Sequence, residues 1–123
     1  MGKFVIRKAG GGLMFDLKAV NGQIIATSQV YTSESALRNG IESVRRNSKS
    51  KIEDRTVEGF KTMTNPKYEV FLDGDGKYRF HLKAMNGEVV AASQTYQSKI
   101  SAKKGIESIA INAVNAEIVE EAD

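Results

Sequence analysis

Apolar residues recur along this chain with two different periods, and the periods alternate in blocks. In residues 15–19, Phe15, Leu17 and Ala19 alternate with Asp16 and Lys18, the period of a strand buried on one face. Residues 79–84 repeat the pattern, with Phe80, Leu82 and Ala84 apolar and Arg79, His81 and Lys83 polar. Asn21-Gly22 and Asn86-Gly87 follow, a strong hairpin signal, and third strands are predicted over residues 23–29 and 88–94. First strands are predicted over 4–8 and 68–72. In the latter Tyr68, Val70 and Leu72 alternate with Glu69 and Phe71. Glycine-rich turns, Ala9-Gly10-Gly11-Gly12 and Asp73-Gly74-Asp75-Gly76, reverse the chain after each first strand. Past Tyr31 and Tyr96 the period becomes helical. Leu37, Ile41 and Val44 share a helix face, as do Ala102, Ile106 and Ile109. Ser33 and Ser98 stand where an N-cap is expected, and the helices are predicted to end near Asn47 and Asn112. A last extended run closes each block, over residues 51–58 and 116–121.

The two blocks are copies of one another. FDLKAVNGQIIATSQVYTSESALRNGIESVRRN, residues 15–47, aligns without a gap to FHLKAMNGEVVAASQTYQSKISAKKGIESIAIN, residues 80–112, with identity at about half of the positions. One copy alone is marginal, because a chain of about 60 residues buries only about 60% of its unfolded surface. A single domain over 1–123 is therefore expected, with repeat one over 1–61, a linker over 62–66 and repeat two over 67–123. Gly40 and Gly105 interrupt both helices at the same place, where glycine costs roughly 1 kcal/mol relative to alanine. Their coincidence predicts a close backbone approach to the sheet or to the partner helix.

Composition narrows the classes without naming a function. The chain is 41% hydrophobic and 27% charged, ordinary for a folded globular protein, and its net charge of +3 is mild. The charge is uneven: residues 117–123 are acidic, whereas Arg38, Arg45 and Arg46 make the first copy basic. With no cysteine there is no disulfide or thiolate metal site. No signal-peptide opening and no apolar run near the roughly 18 residues of a membrane span are present, so the cytoplasm is the expected compartment.

The motifs that resemble functional loops fail on inspection. Asp73-Gly74-Asp75-Gly76 opens like a calcium loop, but the twelfth position holds Ala84 rather than a glutamate. Gly10-Gly11-Gly12 lacks the Gly-Lys-Ser/Thr ending of a phosphate loop. Both read as turns. His81, the one histidine, lies on the polar sheet face and is expected to be exposed and structural; Glu42 and Glu107 are expected to be exposed. Lys18 and Lys83, Ser28-Gln29 and Ser93-Gln94, Tyr31 and Tyr96, and Asn47 and Asn112 are matched pairs that apolar packing alone does not explain.

The string LKA-x-NG-x-(I/V)-(I/V)-A-x-SQ-x-Y-x-S, followed by GIES, resembles the YegP-like family of small bacterial proteins of unknown function. The resemblance covers nearly the whole chain. It implies two β3-α-β units joined in one sheet, with their C-terminal strands exchanged. The fold class expected is therefore α+β: a mainly antiparallel sheet of about eight strands, with two helices on one face and an internal pseudo-twofold.

On that fold the face away from the helices carries Arg7, Asp16, Lys18, Arg79, His81 and Lys83, with Val5, Met14, Phe71 and Met85 among them. The expected function is a non-catalytic binding or interaction module that uses this face or the pseudo-twofold seam. Lys18, Phe71, Arg79, His81 and Lys83 are its candidate binding residues. The alternative is single-stranded nucleic-acid binding, with Phe71 stacking on bases while Lys18, Arg79 and Lys83 meet phosphates. No catalytic set, metal or cofactor is expected. The partner is a protein or small ligand of unspecified identity rather than a membrane, and the chain is expected to be a monomer.

Overall fold

The structure, a computed structural model, describes residues 2–121. Met1 and residues 122–123, the end of the expected second repeat and of its acidic tail, lie outside the described residues. The elements run β1 (Lys3–Ala9), β2 (Gly12–Lys18), β3 (Ile24–Thr27), α1 (Glu34–Asn47), β4 (Ile52–Asp54), β5 (Lys67–Leu72), β6 (Tyr78–Lys83), β7 (Val89–Ser93), α2 (Lys99–Asn112) and β8 (Glu117–Glu120). The expected strand over 51–58 is thus cut short at Asp54. There the carboxylate accepts the backbone N–H of Thr56 at 2.9 Å and turns the chain out of the sheet.

The eight strands form one sheet in the order β4-β5-β6-β7-β3-β2-β1-β8. The two hairpin units meet at its centre through antiparallel pairing of β3 with β7. Each short last strand crosses to the other half: β4 pairs with β5 and β8 pairs with β1. Both of these edge pairs are parallel, so the sheet is mixed rather than uniformly antiparallel. The exchange makes the halves interdependent, and the helices add to it. α1 packs on β2 of its own half and on β6 and β7 of the other, while α2 packs on β6 and β3. Among the described residues no helix is long and apolar enough to cross a membrane.

The core lies between helices and sheet, around an aromatic set that each half supplies. Phe4 meets Phe15 edge-on at 5.5 Å, and Tyr68 meets Phe80 edge-on at 5.9 Å. Tyr31 stacks on Phe15 at 6.4 Å and Tyr96 on Phe80 at 6.2 Å. These tyrosines explain the helical glycines. A Cβ at Gly40 would collide with the Tyr31 hydroxyl, and one at Gly105 with the Tyr96 hydroxyl. The close approach is to a tyrosine side chain rather than to sheet backbone or the other helix. Ser33 and Ser98 cap the helices, accepting the N–H of Ala36 and of Ser101, each at 3.1 Å.

Other matched residues also have structural roles. Ser28 Oγ accepts the Phe15 N–H at 2.9 Å and donates to the Gln29 carbonyl at 2.7 Å; Ser93 does the same for Phe80 and Gln94. Asn47 and Asn112 donate to the Ser43 and Ser108 carbonyls at 2.9 and 2.8 Å, closing the last turn of each helix. The carbonyl just past each helix is satisfied differently. Tyr68 donates its hydroxyl to Ser48 O at 2.7 Å, whereas Phe4, at the position of Tyr68, has no hydroxyl to offer the equivalent Ala113 O. Arg45 reaches Ala113 O at 3.3 Å and Ala116 O at 2.6 Å instead, with its guanidinium 5.5 Å from the Phe4 ring centroid.

Candidate functional site

Strand alternation places Lys18, Phe71, Arg79, His81 and Lys83 on the sheet face away from the helices. Four of them cluster on β5 and β6. Lys18, on β2, is three strands from β6, or about 14 Å. The cluster is engaged internally. Phe71 lies edge-on to His81 at 4.8 Å, Arg79 donates to the Ser93 carbonyl at 3.2 Å, and Lys83 pairs with Glu69 at 3.2 Å. His81 is half-buried rather than exposed. Burial lowers its pKa, Glu69 opposes this, and Arg79 and Lys83 add to it, so the imidazole is neutral at pH 7. Asp16 is buried too, held by Arg7 at 2.8 Å.

One end of this face is covered, because the connection from β4 to β5 folds over it. Glu53, Lys67 and Glu69 form a buried ionic chain beneath that connection. Lys67 Nζ sits 2.8 Å from Glu53, 3.3 Å from Glu69 and 2.9 Å from the Met63 carbonyl. Glu53 also accepts the Met63 N–H at 2.6 Å, and Arg55 lies 2.9 Å from its other oxygen and 5.0 Å from the Phe60 ring centroid. The half-turn symmetry fails here, since Val5 and Val119 stand where the other half has Glu69 and Glu53.

Two grooves on the helix side obey the symmetry. The first runs between α1 and the β6–β7 hairpin and is lined by Tyr31, Ala36, Asn39, Gly40 and Ser43 from one half and Ala84, Asn86, Glu88 and Val90 from the other. The second runs between α2 and the β2–β3 hairpin. Its Tyr96, Ser101, Lys104, Gly105, Ser108, Ala19, Asn21, Gln23 and Ile25 occupy the equivalent positions. The volumes are about 280 and about 200 Å³, enough for a side chain or a small metabolite and short of a drug-sized ligand.

Each groove presents hydrogen-bonding groups on a rigid frame. Asn86 and Asn21 turn their side-chain oxygens onto the N–H of Glu88 and Gln23, both at 3.0 Å. Their amide nitrogens have no partner among the described residues. Burial raises the pKa of both groove tyrosines; for Tyr31, Gln29 opposes this and Glu88 adds to it. Both hydroxyls therefore stay protonated at neutral pH and are donors, not bases. The grooves differ in charge type, because the acidic Glu88 lines the first and the basic Lys104 lines the second. The motif residues Asn21 and Asn86 lie far in sequence from the helix residues they face. The sequence signal that could have joined them was their coincidence in both copies.

The family described as Domain of unknown function (DUF1508) matches residues 9–54 and 73–120, once per repeat. The chain belongs to this family. A UPF0339 protein of Pseudomonas aeruginosa is 39% identical over 108 residues, covering 87% of this chain and 86% of its own length. The YegP protein of Escherichia coli is 38% identical over 101 residues, covering 82% and 79%. A UPF0339 protein of Methanosarcina acetivorans is 53% identical over 53 residues, covering 43% of this chain and 91% of itself. The solution structure of yegP from E. coli, a protein of unknown function, superposes with a TM-score of 0.78 at 33% identity, covering 98% of this chain and 92% of that one. The UPF0339 protein of Shewanella oneidensis superposes with a TM-score of 0.77 at 32% identity, covering 97% and 90%. This chain's fold is thus the exchanged-strand sheet that the resemblance implied.

Proposed function

We propose that the protein is a non-catalytic, cytoplasmic binding module whose ligand sites are the two grooves between each helix and the Asn-Gly hairpin of the opposite half. The observation that carries this reading is convergence. Tyr31, Gly40, Ser43 and Asn86 are drawn from both repeats into one groove, and Tyr96, Gly105, Ser108 and Asn21 into the other. The chemistry supports recognition rather than turnover. The tyrosine hydroxyls are held protonated, and the groove residues include no histidine or cysteine to serve as base or nucleophile. Single-stranded nucleic acid has less to hold on the other face, where Lys83 is paired with Glu69 and Phe71 is packed against His81.

Titration of isotope-labelled protein with a panel of amino acids, nucleotides and short peptides tests the reading. Amide shifts are expected at Gly40, Ser43, Asn86 and Glu88, or at their counterparts Gly105, Ser108, Asn21 and Gln23. Asn86→Ala or Asn21→Ala should weaken whichever binding is seen. Shifts confined to Phe71, Arg79, His81 and Lys83 would instead support the open sheet face and sink the groove assignment.

A further inference from the structure

The two ends of the sheet share a backbone plan and differ in side chains. β8 lies on β1 as β4 lies on β5, so Glu120 stands opposite Ile6 where Asp54 stands opposite Val70. In the second half that acid is taken. Lys99, the first residue of α2, places its Nζ 3.0 Å from Asp54, and Leu72 and Tyr78 face each other beside it on β5 and β6. In the first half all of these neighbours change. Glu34 stands for Lys99 at the start of α1 and is turned to Arg38 at 3.0 Å. Lys8 stands for Leu72, and the smaller Leu13 for Tyr78. What results is a pocket of about 330 Å³ lined by Ile6, Arg7, Lys8, Leu13, Glu120 and Glu121.

The pocket combines an acid, a base and an apolar floor. Strand register puts Ile6, Lys8, Leu13 and Glu120 on one face of the sheet, the helix side. Glu120 is an acid without the lysine its counterpart has, and Lys8 is a base without an ion-pair partner among the described residues. Arg7 adds no free cation, because Asp16 already holds it at 2.8 Å. The strand end that carries Glu120 is pinned, since the Glu121 N–H donates to the Ile6 carbonyl at 2.8 Å. We infer that this pocket binds the free zwitterion of an apolar α-amino acid. The amine lies against Glu120, in the place that Lys99 takes against Asp54, the carboxylate against Lys8, and the aliphatic side chain over Ile6 and Leu13. The site uses no groove residue and stands apart from the function proposed above. Lys8 and Glu120 are both exposed, so the affinity is low, with a Kd on the order of 1 mM.

Titration of isotope-labelled protein with L-leucine from about 0.1 to about 20 mM spans this affinity. Amide shifts are expected at Ile6, Lys8, Leu13, Glu120 and Glu121. 3-Methylbutylamine, which is leucine without its carboxylate, and 4-methylpentanoate, which is leucine without its amine, should each bind at least about fivefold more weakly. Lys8→Met should reduce leucine binding to the level of the amine, and Glu120→Gln to the level of the acid. Glu34→Lys supplies from within the chain the amine that the first half lacks, and should weaken leucine binding by a similar factor. All these positions are exposed, and an unchanged core spectrum confirms that each variant folds. Absence of shifts up to about 20 mM overturns the inference, as do leucine shifts confined to the two grooves. An amine that binds as well as leucine overturns the role of Lys8 and with it the zwitterion. A Glu34→Lys variant that binds leucine like the wild type overturns the parallel with Lys99.

Discussion

Replacing Lys67 by methionine tests whether the buried ionic chain holds the β4–β5 connection in place. Methionine keeps most of the lysine's length but removes the ammonium that lies 2.8 Å from Glu53 and 3.3 Å from Glu69. Two carboxylates then remain buried on adjacent strands, with only the partly exposed Arg55 and Lys83 to neutralise them. Removing one partner of a buried pair costs about 3–5 kcal/mol, because the other charge is left uncompensated. We expect the loss for Lys67→Met near the upper part of that range. Glu53→Gln should cost less, since Lys67 keeps Glu69 and the Met63 carbonyl. The double variant removes both charges, so its loss should fall short of the sum of the singles by at least about 1 kcal/mol. Urea unfolding, with the m-value checked for constancy, measures all three.

The same chain gives the stability a signed pH dependence. Burial pushes the Glu53 carboxyl up, but the ammonium of Lys67, the Met63 N–H and the charge of Arg55 outweigh it and hold its pKa below the usual carboxylate value. Its contribution is present above the unfolded-state value and is lost as pH falls through the depressed folded value. For Lys67 the pairing with Glu53 outweighs burial and raises the pKa, so its contribution is intact below the unfolded-state value and is lost as pH rises through the folded one. Wild type should therefore lose stability at both extremes, and Glu53→Gln should lose less on the acid side. A Lys67→Met loss below about 1 kcal/mol, or strictly additive singles, would show that the chain is too well solvated for this reasoning.

Two further substitutions probe the repeat. Gly105→Ala ought to gain up to about 1 kcal/mol from helix propensity, yet it should cost about 1–3 kcal/mol because the new methyl meets Tyr96 and Phe80; Tyr96→Ala in the same chain should absorb most of that loss in a thermal-unfolding cycle. Ser93→Ala leaves the buried Phe80 N–H without its acceptor and should cost about 1–3 kcal/mol, with faster amide exchange at Phe80 as the local signature.

How much of this was legible in the sequence depends on the range of each interaction. Strand alternation, the Asn-Gly hairpins, the serine caps and the helix ends at Asn47 and Asn112 are local, and they fall where the pattern put them. The mixed sheet was less legible, because nothing in residues 52–54 says that they pair in parallel with the other repeat. The partial burial of His81 and the full burial of Asp16 were missed for a related reason. Alternation assigns a face but not what lies over it, and here Phe71 and Arg7 lie against those residues. The ionic chain escaped because Glu53, Lys67 and Glu69 look like ordinary surface charges until the 55–65 connection folds over them. The matched tyrosines and glycines were visible, but only the structure shows that each tyrosine occupies the space its glycine leaves.

Duplication also explains where the two halves should differ. A site that needs both halves, such as each groove, is made twice whenever both repeats keep the shared residues. Tyr31 and Tyr96, Gly40 and Gly105, Ser43 and Ser108, and Asn21 and Asn86 do so. Outside the grooves the copies part even where the halves meet: Glu53 and Glu69 stand against Val119 and Val5 at the exchanged edge strands, and Ile111 against Arg46 on the outer helix faces. The groove charges, Glu88 and Lys104, fall between these cases, because each is set by one residue within a shared frame. On the proposed binding role, the common frame would meet a ligand's polar groups in the same way in both grooves while the single differing charge sets which ligands enter, so the two grooves should select partners of opposite charge rather than two copies of the same one.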